Sequence, residues 1–328
     1  MGIKHLNKFL RTQCGESIKS ITIAELSGKK IAVDISIYTY KYESNEALIE
    51  NMYLMLATFR QYNIIPIFVF DGKPPAEKKA LLQKRKEDKK EAEKEYNILK
   101  QKLENNNVLD DDKQEIISNM DLLKKQFIYI TREKINTVKS LIRSYGATYY
   151  DAPGEADELC ALLVLKNKVW ACLSEDMDMF VYGCTRVIRY LNLGNRTAVL
   201  YDMKGILVNL GITQKELREI CVLSGTDYNI QNCDKITNKP NLYDTIKLFN
   251  KYKKEKGKEN NDLEFYEWLK INSDYITDYE LLKTIHDIFD LKNTNLTTFE
   301  KIKIVNGPIN YLNIKDILRT DGFMFPPF

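Results

Sequence analysis

The sequence predicts an α/β protein: a mostly parallel central sheet flanked by helices, with a protruding helical hairpin and a helical carboxyl-terminal region. Short apolar runs predict the sheet. Ile31-Ala32-Val33 ends on Asp34, Ile64 to Phe70 ends on Asp71, and Val169 to Leu173 is followed by Asp176 and Asp178. Runs of this length, apolar throughout, read as strands buried on both faces. Helical patterns between them supply the crossovers that parallel strands need. Two matched apolar stripes in a highly charged stretch predict the hairpin.

Residues 29–70 read as strand, helix, strand, and Pro74-Pro75 stops the second strand because proline donates nothing to a ladder. From Ala76 the chain turns helical and charged. Ala92, Tyr96, Leu99 and Leu103 recur at spacings of four, three and four, and Asn105-Asn106-Asn107 breaks the pattern. Asp112 and Glu115 read as a capping box for a second helix, striped by Ile116, Met120, Leu123, Phe127 and Ile130. Two narrow stripes joined by a short polar loop predict an antiparallel hairpin. After Gly146, Ala147–Tyr150 reads as a strand, and a helix with Leu159, Leu162, Leu163 and Leu165 turned inward comes next. Val169–Leu173 is a further strand, and Val187–Leu191 and Ala198–Tyr201 form a β-hairpin. From Met203 the pattern is helical, interrupted by a Lys/Glu/Asn-rich loop over residues 251–261 and ending in an irregular tail at 320–328. The expected division is a core over 1–228, with the hairpin at roughly 76–135, and a helical region over 229–328.

Composition narrows the chemistry. The 328 residues are 44% hydrophobic and 29% charged, with a net charge of +3, so no global charge demands a polyanion. Six cysteines form no CxxC pair and read as free thiols in a reducing compartment. With only His5 and His286, a His-based zinc site or a Ser-His-Asp triad is disfavoured. No apolar run is long enough to span a bilayer, and the amino terminus lacks a signal-peptide core. An intracellular, monomeric protein without a membrane partner is expected.

Seven carboxylates form the candidate site: Asp34, Asp71, Glu155, Asp157, Asp176, Asp178 and Asp227. In an open α/β sheet, ligands bind outside the carboxyl ends of the strands, where three of the runs deliver acids. Crowded carboxylates need cations. Oxygen ligands without His or Cys select magnesium or manganese over zinc. Seven acids exceed the needs of one magnesium, and two ions roughly 4 Å apart suit in-line phosphoryl displacement. Taken singly, each acid could equally cap a helix or lie on a solvated loop.

Met1-Gly2-Ile3, Val33-Asp34-Ile35-Ser36, Val69–Pro75, Ala152–Asp157, Ser174–Asp178 and Leu223–Tyr228 stand in an order that closely resembles the flap endonuclease family of structure-specific 5′ nucleases, continuously from residue 1 to about 230. The resemblance implies a PIN-like 5′ nuclease fold and a Mg2+-dependent endonuclease, with 5′→3′ exonuclease activity, that cuts 5′ flaps of branched DNA in replication, repair or recombination. It implies two Mg2+ ions, with Mn2+ able to substitute, and by position it matches the seven acids to the family's metal ligands. Asp157 departs from the usual Glu there, and Glu158 could also lean into the site. Lys78 and Arg85, seven residues apart, match the family's basic helix over the active site, where cations hold the scissile phosphate. Tyr40 resembles the tyrosine that stacks on a base, an interaction worth roughly 1–3 kcal/mol; a core tyrosine is the equal rival. Gly2 resembles the small amino-terminal residue near the substrate.

The likeness fails after Tyr228. Residues 229–256 contain no glycine where the family usually grips duplex phosphates through backbone N–H groups, so the grip is weaker or built from Lys235, Lys239, Lys247 and Lys251. The segment between Tyr40 and Leu48 is short for the family, and no clear sliding-clamp peptide is found. The richness in Asn, Lys, Ile and Tyr is compatible with an AT-rich genome such as that of a large DNA virus; the nucleus or a viral replication site in the cytoplasm is the expected location. An RNA endonuclease of the same fold and a non-catalytic nucleic-acid scaffold are the rival readings; a DxD phosphatase is disfavoured because Ser36 stands where the second acid would be.

Overall fold

In a computed structural model of the protein, the described residues are 3–104, 110–228, 241–256, 263–276, 278–294 and 302–325, less the side chains of 104, 110–115 and 293. The elements run α1 (Leu6–Gln13), β1 (Ile18–Thr22), β2 (Lys30–Asp34), α2 (Ile35–Glu43), α3 (Leu48–Gln61), β3 (Ile65–Phe70), α4 (Lys79–Glu104), α5 (Asp110–Lys124), α6 (Arg132–Ser144) and β4 (Thr148–Asp151). Then come α7 (Ala156–Leu165), β5 (Ala171–Leu173), α8 (Asp178–Tyr182), β6 (Arg186–Asn192), β7 (Thr197–Asp202), α9 (Met203–Leu210), α10 (Gln214–Ser224), α11 (Leu242–Lys256), α12 (Phe265–Asn272), α13 (Tyr279–Ile288) and α14 (Tyr311–Thr320).

The seven strands lie in the order β1-β7-β6-β5-β2-β3-β4. β6, β5, β2, β3 and β4 are mutually parallel, and β7 pairs antiparallel with β6 on one side and β1 on the other. Residues alternate across β2 and β3 as the pleat requires. Ile31, Val33, Phe68 and Phe70 face a core shared with α2, α3, α6 and α14. Ala32, Ile67 and Val69 face the other core, shared with α7, α8, α10 and the helices from α11 to α13. The carboxyl-terminal helices therefore build the same core as the sheet. The chain winds outward from β2 through β3 to β4, then returns to β5 on the other side of β2. The loops leaving β2 and β5 diverge there, which opens a crevice at the sheet's carboxyl edge.

The hairpin forms as the stripes require. Ala92 is buried, and Tyr96, Leu99, Leu103, Ile116, Met120 and Leu123 are half-buried. The Tyr96 and Phe127 rings meet edge-on at 5.3 Å. α5 starts at Asp110, so Asp112 sits inside the helix rather than at its cap, and it ends at Lys124, short of Phe127 and Ile130. The second leg is tied to the body: Lys124 pairs with Glu46, and just beyond it Lys134, at the start of α6, pairs with Glu43.

Several sequence expectations need correction. Two helices, α2 and α3, stand where one was expected between β2 and β3. In the turn between them Glu46 takes the left-handed region at φ 55°, and neither glycine nor proline marks the break. α11 continues through Lys256, so residues 251–256 of the expected loop are helical. α1 and β1 were not foreseen; β1 is an edge strand with a single buried residue, Ile21. Finally, residues 302–310 return to the far end of the sheet beside β4. The Gly307 amide donates to Gly146 O at 2.7 Å, and the Asn310 amide donates to Ser144 O at 2.7 Å.

Candidate metal and phosphodiester site

Six of the acids reach the crevice from a strand end or the segment that follows it, and the seventh from the turn after α10. Asp34 closes β2, Asp71 follows β3, Glu155 and Asp157 begin α7 after β4, Asp176 and Asp178 follow β5, and Asp227 follows α10. The loops after β3 and β4 are joined through their backbones. The Gly72 amide donates to Gly154 O at 2.8 Å, the Lys73 amide to Pro153 O at 3.3 Å, and the Ala156 amide to Asp71 Oδ1 at 2.9 Å. A Cβ on Gly72 would lie 1.8 Å from Ala152 O, so only glycine permits this approach.

Asp34, Asp157 and Asp178 are 5%, 8% and 1% exposed, values at which a carboxylate is rare unless paired. Ser174 Oγ donates to Asp34 Oδ2 at 2.9 Å. Burial, and then the nearby Asp71 charge, push the Asp34 carboxyl up to about 7. Asp157 and Asp178 are held well above the carboxylate range, first by burial, then by neighbours. Asp178 feels Asp176, Asp227 and Glu155, and Asp157 feels Glu155, Asp176 and Asp178. The acids thus converge from the loops after β4, β5 and α10.

Two basic side chains offset part of this charge. Lys78 Nζ lies 2.7 Å from Glu155 Oε2, and Arg85 Nη2 lies 2.8 Å from Asp227 Oδ2. Burial works against the Lys78 charge, but Asp157 and Glu155 outweigh it and raise its pKa. Lys78 ends a 3₁₀ turn ahead of α4, so the two cations do not share one continuous helix. They nonetheless reach the same rim.

Among the described residues no three His, Cys, Asp or Glu side chains form a ready-made metal cage. Lysine, arginine, serine and backbone amides hold several of the carboxylate oxygens instead. The donor set still fits a hard divalent cation, because it is oxygen only and net negative. Asp178 Oδ1 is buried with no hydrogen-bond partner, and an unpaired buried carboxylate oxygen is costly. A cation would satisfy it.

Tyr40 stands exposed on α2, which removes the core reading, and Lys89 Nζ of α4 lies 4.9 Å over its ring. Glu158 lies at the start of α7 with its carboxyl raised by burial and by Glu155. Gly2, Lys235 and Lys239 lie outside the described residues. Lys247 and Lys251 are each paired on their own helix, with Asp244 and Glu255. Sequence reasoning missed Ser174, Lys89 and Tyr228. Tyr228 donates to Glu155 Oε2 at 2.7 Å, and its place directly after Asp227 was the available signal.

The chain matches the XPG N-terminal domain over residues 1–92 and the XPG I-region over residues 146–227. Flap endonuclease 1 of Glossina morsitans morsitans is 31% identical over 254 residues, covering 72% of this chain and 62% of that protein. Flap endonuclease 1 of Nematostella vectensis is likewise 31% identical, covering 72% and 63%. The chain belongs to the flap endonuclease family. It spans a little over three-fifths of the length of these family members. In fold it is similar to the catalytic core of Rad2 in complex with DNA substrate, at a TM-score of 0.62 and 21% identity, covering 95% of this chain and 94% of that one. Flap endonuclease-1 from Methanococcus jannaschii superposes with a TM-score of 0.60 at 22% identity, covering 94% and 92%. Among flap endonucleases, then, this chain shares the two family regions and the architecture that carry the acids.

Proposed function

We propose that this protein is a divalent-metal-dependent nuclease that cuts 5′ flaps of branched DNA, leaving a 5′-phosphate and a 3′-hydroxyl. The observation that carries the reading is the buried, unpartnered Asp178 Oδ1 amid converging acids at the switch point of the sheet. Asp34, Asp71, Glu155, Asp157, Asp176, Asp178 and Asp227 would hold two Mg2+ ions, with Mn2+ able to substitute. Bound there, the ions would supply an activated water and neutralise the departing oxygen. Lys78 and Arg85 exchange their carboxylate partners for the scissile phosphate, which brings positive charge to the oxygens where negative charge develops. Burial of Asp34, Asp157 and Asp178 keeps bulk water from screening these interactions. Tyr40, exposed beside Lys89, offers its ring to an unpaired base. Residues 1–228 form the catalytic core and 229–328 the duplex-binding region.

The test is a gel assay with end-labelled flap, nicked and linear duplexes and a matched RNA flap. Wild type should cleave the DNA flap in Mg2+, and Asp178→Asn should slow cleavage about 10²- to 10³-fold. Equal rates for the two proteins defeat the site assignment. Preferential cleavage of the RNA flap replaces DNA by RNA as the substrate.

A further inference from the structure

Tyr228 closes a triangle with Glu155 and Lys78. Its hydroxyl donates to Glu155 Oε2 at 2.7 Å, and Lys78 Nζ sits 2.7 Å from that same oxygen. Lys78 Nζ also lies 4.6 Å over the Tyr228 ring. Both donors thus take Oε2 and leave Oε1 as the oxygen available to a cation. The tyrosine is itself held. Its ring meets Phe289 edge-on at 5.4 Å, and Phe289 packs 4.8 Å from the Tyr182 ring. Tyr182 ends α8, the helix that Asp178 begins. Ring packing from Tyr182 through Phe289 to Tyr228, and the Tyr228 bond to Glu155, therefore join the acid helix after β5 to the acid loop after β4.

We propose that Tyr228 is a positioning residue for the metal centre, fixing the Glu155 carboxylate so that one oxygen is presented to a divalent cation. This rests on the metal-dependent reading above. A phenol at 2.7 Å is a strong orienting donor, and partners of this kind around metal ligands control affinity as well as geometry. A packing role alone would need only the ring, because the contacts with Phe289 and Lys78 do not use the hydroxyl.

Tyr228→Phe separates the two roles, since it keeps the ring and deletes the O–H. Mg2+ titration calorimetry of the intact, metal-free protein should show binding weakened about 10-fold or more against wild type. The metal-free melting temperature should stay close to wild type. In steady-state cleavage the Mg2+ requirement should rise by a similar factor, with flap affinity in EDTA unchanged and kcat recovering at high Mg2+. Tyr228→Leu, which also removes the ring, should in addition lower the metal-free melting temperature. A Phe variant whose Mg2+ isotherm superposes on wild type overturns the proposal, as does one that melts as early as the Leu variant. No Mg2+ binding heat in wild type overturns the metal centre itself, a different failure from an unaltered Phe variant beside a wild type that binds.

Discussion

The acid rim and the helical hairpin are both rich in charge, yet they treat charge in opposite ways. On the hairpin, Glu87, Asp88, Glu91 and Glu95 are exposed, and a narrow half-buried stripe does the packing. At the rim, Asp34, Asp157 and Asp178 are buried against one another, and one carboxylate oxygen has no partner. Solvated charge contributes little to folding either way. Buried like charge destabilises the fold unless a ligand compensates it. The contrast teaches where to look for function: in the region that costs stability, not in the one that carries the most charge.

The strongest test of this contrast is pH. Folded Asp34 titrates near 7 against an ordinary value of 3.8, and Asp157 and Asp178 are shifted the same way. The folded state therefore holds protons that the unfolded chain has already released. These groups leave stability intact below about pH 4 and remove it as pH rises towards 7 and beyond, by an amount on the order of a few kcal/mol. Thermal unfolding of the metal-free protein should show that decline, Mg2+ should restore the loss at pH 8 far more than at pH 5, and Asp178→Asn should flatten it. A metal-free profile that rises from pH 5 to 8, with no Mg2+ effect, would erase the distinction between the two regions.

Gly72→Ala is the next largest perturbation. The added Cβ meets Ala152 O, which is backbone and cannot swing aside. A loss of about 1–3 kcal/mol is expected, together with weakened Mg2+ binding as Asp71 and Glu155 shift apart. Chemical denaturation and calorimetry read the two effects; a variant as stable as wild type with intact metal binding would show that the two loops need not be so close.

Smallest is Tyr96→Ala on the hairpin, which removes the edge contact with Phe127. It should lower stability by about 1 kcal/mol. Amide exchange should quicken in α4 and α5 and stay unchanged in β2 and β5. Faster exchange in the sheet would mean that hairpin and rim are energetically one unit.

Much of this was legible because burial and function left their marks in the same short segments. The strands ending at Asp34, Phe70 and Leu173 were readable from continuous apolar runs, which pointed to Asp34, Asp71, Asp176 and Asp178, while Glu155, Asp157 and Asp227 were singled out with the motifs that resemble the family. β1 was illegible because an edge strand with one buried side chain carries no periodic signal. The break between α2 and α3 was illegible because Glu46 adopts a conformation that its residue type does not announce. Ser174 and Tyr228 have ordinary hydroxyls, which acquire a role only when the fold sets Asp34 and Glu155 opposite them. Lys247 and Lys251, expected to grip a duplex, meet acids on their own helix, a pairing that a list of basic residues hides.

The return of residues 302–310 to β4 has a practical corollary for anyone shortening this protein. β4 is the last strand of the sheet, and the returning segment bonds to Ser144 and Gly146 just ahead of it and accepts from the Thr148 hydroxyl at its start. Trimming the chain ahead of that segment would strip the cover from a sheet margin far from the acids, and unprotected margins recruit other chains. A shortened version is therefore expected to aggregate even with every acid of the crevice still in the chain.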